Sequence, residues 1–217
     1  MTETAQLRTA GIAATIAGLL GGIGDLLLFY TPGFAADLFA VHTLPDWRIL
    51  IGTLLAISVI PLLPLGYWAL SRQLRGISEN FANAIFIGGV YGAGIGNAIH
   101  GMMGILVQVV QHNSVPTQSA DFIALYARFV VPLYALFYLL MLVGTIILTI
   151  VIWRGKTPFP RWFILLLPLW SNVLVVLLGR LSPGLADLLV PSIANLSHAL
   201  MFGVMTALFW GQETERT

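Results

Sequence analysis

The chain has 217 residues, of which 58% are apolar and only 9% charged, whereas a soluble domain carries about 25% charged residues; a globule covered by polar surface is excluded. Net charge is +1 with no basic or acidic block, so nothing supports nucleic-acid binding. With no cysteine, disulfides, thiol nucleophiles, iron–sulfur clusters and thiolate metal sites are excluded as well.

Mean hydropathy is +0.92, and the apolar residues fall in runs of about 20, long enough to cross the ~30 Å hydrocarbon layer as helices. The runs lack the alternation of a membrane barrel. Six spans are expected, at 9–30, 47–70, 84–110, 123–153, 161–181 and 190–210, so the fold class is all-α: one polytopic membrane helix bundle occupying residues 1–217.

The first span has only Arg8 as a basic flank and no convincing cleavage site, which reads as a retained span rather than a signal peptide. Gly11, Ala14, Gly18, Gly21 and Asp25 follow a spacing of three and four and share one face, turning Asp25 toward a partner helix. The connection 31–46 is loop-like, with Phe34, Leu38 and Phe39 able to form a short surface helix. The second span carries Pro61 and Pro64. In the third, Gly88, Gly92, Gly96, His100 and Gly104 recur every four residues, a smooth stripe expected to let a neighbouring backbone approach, within the chain or in a homo-oligomer. The stretch Gly92–Gly96 lacks the strand and loop of a phosphate-binding motif. Residues 111–122 read as a loop.

The fourth span is longer than a perpendicular helix needs, so it tilts, kinks at Pro132 or projects. Tyr134 and Tyr138 lie one turn apart on it and read as packing residues. The fifth contains Pro168, and the sixth ends near Trp210. Trp47, Trp68, Trp153, Trp162 and Trp210 all fall at span ends, the headgroup level that indole prefers. Arg8, Arg72, Arg75, Arg154, Lys156, Arg161 and Arg216 alternate to one side, and Arg48, Arg128 and Arg180 to the other. That bias places both termini in the cytoplasm of a cell-membrane protein.

Asp25 is the only carboxylate well inside an apolar run, at a cost of ~2.5–3.5 kcal/mol near the bilayer centre. Counting 1.5 Å per residue sets it at ~8 Å depth, with His198 at ~10 Å and His100 at ~15 Å, all in the outer leaflet. An outward-facing polar cavity would satisfy these three together with Asn97, Asn172 and Asn195, and Arg128 and Arg180 at outer span ends would supply an anion grip. The alternatives are a protonated or locally bonded Asp, the weaker reading for that residue; packing histidines and asparagines that merely bridge helices, on equal footing with a site role; and snorkelling arginines, the stronger reading for Arg128 and Arg180. His42 and His112 read as solvated loop residues. Asn97-Ala98-Ile99-His100 and Asn195-Leu196-Ser197-His198 repeat one spacing in spans three and six; with three spans on each side, a 3+3 inverted repeat is one reading, the plan in which transporters place a site between halves.

Three functions fit these residues. The first is a small-solute permease or solute-binding protein, because histidine, with an unperturbed pKa of about 6.5, exchanges protons in the physiological range. The second is a membrane enzyme acting on a lipid-like substrate, in which Asp25, His100 and His198 hold a divalent metal, or the two histidines hold a haem with Gly96 and Gly104 making room. The third is a non-catalytic subunit or scaffold. No metalloprotease, nucleophile-elbow or Walker motif is present, and the sole lysine, Lys156, lies outside the spans.

Overall fold

A computed structural model describes residues 2–32, 44–112 and 116–214. His42, with Phe34, Leu38 and Phe39 of the expected surface helix, Arg216 and the side chains of His112 and Trp210 lie outside what is described. Among the described residues the chain is almost entirely helical, without strands. Its elements are α1 (Glu3–Phe29), α2 (Asp46–Val59), α3 (Leu63–Leu74), α4 (Glu79–His112), α5 (Pro116–Trp153), α6 (Pro168–Leu181), α7 (Pro183–Leu189) and α8 (Ile193–Thr214). Four helical stretches, 3–29, 46–74, 79–109 and 121–153, are long and apolar enough to cross a membrane, which marks a membrane protein. Two further apolar helices, Pro168–Leu181 and Ile193–Leu208, are shorter.

The helix ends depart from expectation where proline intervenes. Pro61 has no N–H to give the carbonyl of Ile57, and the second span tightens into a 3-10 turn, Ile60–Leu62, between α2 and α3. The expected fifth span is broken: a 3-10 helix, Arg161–Leu166, is followed by Leu167 in extended conformation (ψ 138°) and Pro168 at the first position of α6. A residue before proline is pushed out of the helical region. The sixth helix starts at Ile193 rather than 190, after the short α7. The expected loop 111–122 is mostly helix, because α4 runs to His112 and α5 begins at Pro116. α5, at 38 residues, is about 57 Å long and projects beyond a bilayer with Pro132 inside it.

The bundle is ordered by small residues. On α1 the inward face is Gly11, Ala14, Gly18, Gly21 and Asp25, all buried, while Ile12, Ile16, Leu19 and Ile23 are 40–50% exposed. Large apolar groups outside and small ones inside are the arrangement of a helix solvated by lipid and packed through its backbone. A methyl at Gly18 would stand 2.8 Å from Ala199 N and 2.9 Å from Asn195 O, so α1 and α8 touch main chain to main chain. Gly11 faces Thr206 and Gly22 faces Leu196; the two helices are antiparallel, and their outer ends share one end of the bundle. Gly24 and Gly52 form a second crossing, between α1 and α2. At the termini end Arg72 pairs with Glu3 (2.9 Å). At the other end Arg48 donates to the Leu26, Leu27 and Tyr30 carbonyls at 2.9, 3.1 and 2.8 Å, capping the end of α1, where the Leu26 carbonyl also accepts from the Tyr30 N–H.

Candidate functional site: a buried Asp–His–Asn cluster above an apolar chamber

Three helices bring the central polar groups together. Asp25 comes from the upper part of α1, His100 from α4 and Asn195 from the first turn of α8. Asn195 reaches across because Gly21 has no Cβ: a methyl there would lie 2.9 Å from the Asn195 amide carbon. Asn195 Nδ2 donates to Asp25 Oδ2 at 2.8 Å and stands 3.5 Å from His100 Nε2. His100 Nδ1 lies 3.2 Å from Asp25 Oδ1, off the line of a hydrogen bond, so both atoms lack an aligned partner. Asp25 is 2% exposed and Asn195 4%.

His198, one turn along α8 from Asn195, forms a separate pair. Its Nδ1 is 2.6 Å from the Ala194 carbonyl and its Nε2 is 2.7 Å from the Tyr67 hydroxyl. A carbonyl only accepts, so the partners assign the proton to Nδ1 and make Nε2 the acceptor for Tyr67. Tyr67 is itself fixed between Gly89, whose absent side chain admits the ring, and Phe202, edge-on at 5.2 Å. No sequence reading found Tyr67. Its only signal was a hydroxyl in an apolar span, three residues past Pro64.

Below these groups lies a chamber of about 210 Å³ between α3, α4, α5 and α8. It runs from His100, Asn195 and His198 toward Phe81 and Leu148, along about 28 Å of α4, toward the termini end of the bundle. The outward-facing polar cavity expected from the sequence is therefore replaced by an apolar chamber that runs the other way. Its walls are partly glycine. A methyl at Gly88, Gly92 or Gly144 meets nothing within 4 Å, and one at Gly96 meets only Phe137, at 3.7 Å. The α4 stripe, expected to admit a neighbouring backbone, leaves space open along most of its length. Gly104 alone behaves as expected, lying against Thr53 of α2.

The remaining expected site residues are dispersed. Arg128 and Arg180 are exposed, since α5 and α6 turn them away from the cluster, and no anion grip forms. Asn172, with its amide nitrogen facing acceptors, donates to Pro168 O (3.0 Å), Ser197 Oγ (3.2 Å) and Ile193 O (3.3 Å), tying α6 to α8. Asn97 Oδ1 is buried without a partner, one turn before His100. The metal triad does not assemble: among the described residues no three His, Asp or Glu side chains converge on a metal position, because His198 is directed at Tyr67 and Ala194. Haem ligation fails on the same geometry, as both His198 ring nitrogens are engaged and Gly104 faces α2.

Apolar helices packed through glycine around a buried polar cluster and a chamber define the protein as a helical membrane protein with a partly open cavity between its helices. The match to a family of unknown function (DUF6796) spans residues 1–210, and the chain belongs to that family. No curated protein and no solved structure matches it.

Proposed function

We propose that the protein is a membrane-embedded solute-binding protein or permease whose ligand occupies the chamber between α4, α5 and α8. In this reading the chain crosses the cell membrane six times with both termini cytoplasmic, α6 and α8 serving as the two shorter crossings. The basic residues Arg72, Arg75, Arg154 and Arg161 support that orientation through the positive-inside bias. The inverted repeat is supported by one contact, that of Asn195 from the second Asn-x-x-His motif with His100 from the first.

The observation that carries the reading is the chamber itself. Each helical glycine costs about 0.5–1 kcal/mol relative to alanine, yet the half-buried Gly88, Gly92 and Gly144 line the chamber and face open space that a methyl would fill without contact. A space held open in this way, with polar groups at one end, has the form of a ligand pocket. Native mass spectrometry of the purified protein tests it. A bound species is expected on the wild type and its loss from Gly92→Leu, whose side chain enters the chamber, with retention in Gly94→Leu, whose side chain points away from the chamber. Equal adducts on all three proteins would reject the reading.

A further inference from the structure

We infer that the chamber takes a single-chain amphiphile whose head donates hydrogen bonds, an alcohol or an amine, with the head at Asn195, His100 and Tyr67 and the chain along Gly92 and Gly144. This rests on the chamber being the binding site and adds the chemical class of its occupant. Three observations converge on it.

The first is the distribution of polar atoms. His100, Asn195, His198 and Tyr67 lie toward one end of the chamber, while the walls toward Phe81 and Leu148 are apolar apart from Thr145. A compact polar solute would leave most of that wall uncovered, and a molecule with one polar end and one apolar chain matches it along its length. The second is the direction of the hydrogen bonds. Asn195 spends one amide proton on Asp25 and turns toward His100 Nε2. Tyr67 spends its hydroxyl proton on His198 Nε2, which the Ala194 carbonyl forces to accept. With these donors spent, the phenol oxygen keeps a lone pair, so the polar end asks for donors. The third is charge. Among the described residues no Lys or Arg lines the chamber, Arg48 is committed to carbonyls at the end of α1, and Arg128 and Arg180 are exposed. The carboxyl of Asp25 lies directly behind Asn195. A carboxylate or phosphate head would enter this end with no cation to meet it, a cost not recovered in a low-dielectric site.

The glycines set the width. Gly92 on α4 and Gly144 on α5 both face free space, and α5 stays against α4 while standing off from α8. The opening suits an unbranched chain.

Thermal unfolding of the full-length protein in detergent, titrated with decan-1-ol, decylamine or decanoate at pH 8, tests the assignment, because a ligand bound only to the folded state raises the midpoint. Decan-1-ol and decylamine are expected to raise it in the wild type and in Gly94→Leu, but not in Gly92→Leu or Gly144→Leu, and decanoate is expected to bind at least about tenfold more weakly. If decanoate binds as tightly as decylamine, and Gly92→Leu abolishes both, the head class is wrong and the chamber stands. If no amphiphile responds to Gly92→Leu or Gly144→Leu, both the head class and the chamber as binding site are wrong.

Discussion

Glycine-to-alanine substitution separates the two uses of glycine in this bundle. At Gly92 an added methyl meets nothing within 4 Å, so Gly92→Ala removes only the conformational cost of an interior glycine and should stabilise the protein by about 0.5–1 kcal/mol. At Gly18 the methyl would stand 2.8 Å from Ala199 N and 2.9 Å from Asn195 O. Those are main-chain atoms of α8 that cannot swing aside, so α1 and α8 must part. Overpacking of this kind costs about 1–3 kcal/mol, and the same propensity gain offsets only part of it. That gain is common to both, so the two variants should differ by the overpacking cost, about 1–3 kcal/mol, a shift of roughly five- to 150-fold in the folding equilibrium. Reversible unfolding in mixed micelles measures both, with Gly88→Ala and Gly144→Ala expected to follow Gly92→Ala. If Gly92→Ala loses as much stability as Gly18→Ala, α5 packs onto α4 at that glycine and the chamber does not exist.

Tyr67→Phe should leave His198 Nε2 buried without its donor and cost about 1–3 kcal/mol in the same unfolding assay, whereas an unchanged midpoint would mean that the pair is not formed. Arg48→Ala should release three α1 carbonyls and cost about 1–3 kcal/mol, read as faster amide exchange in the last turn of α1. Asn172→Leu removes the bond to Pro168 within α6 and the ties from α6 to Ile193 and Ser197 of α8 and should lower stability by about 1–3 kcal/mol without affecting ligand binding; a selective loss of binding would return Asn172 to the site. Reporter fusions at either terminus should report a cytoplasmic location, and an external C-terminus would reverse the orientation.

The polar core was legible because membranes leave few reasons for a carboxylate. Asp25 was set inside an apolar run, its helical face was given by Gly18 and Gly21, and a count of 1.5 Å per residue brought His100 and His198 into the same leaflet, with Asn195 in the same span as His198. The structure puts His100 and Asn195 beside Asp25 and leaves His198 apart. His198 was assigned the wrong partner, because its pairing depends on Tyr67, which belongs to a different helix and carries no charge to mark it. The glycine stripe on α4 could not be interpreted from spacing alone. Close approach and open space both call for a residue without a side chain, and only the facing atoms distinguish Gly104, against Thr53, from Gly92, against nothing. Arg128 and Arg180 failed as site residues for the opposite reason: a helix end fixes depth but not azimuth, and both face outward. The break at Leu167 was latent in Pro168, yet a run of apolar residues across it hid the interruption.

The central claim is that α4, α5 and α8 enclose a ligand chamber capped by Asp25, His100 and Asn195, and a crystal structure grown from lipidic mesophase tests it most directly. The account predicts elongated density along Gly92 and Gly144 with its polar end within hydrogen-bond reach of Asn195 or Tyr67. Side chains such as Phe137 or Met141 filling that space, with α5 packed flat against α8, would contradict it.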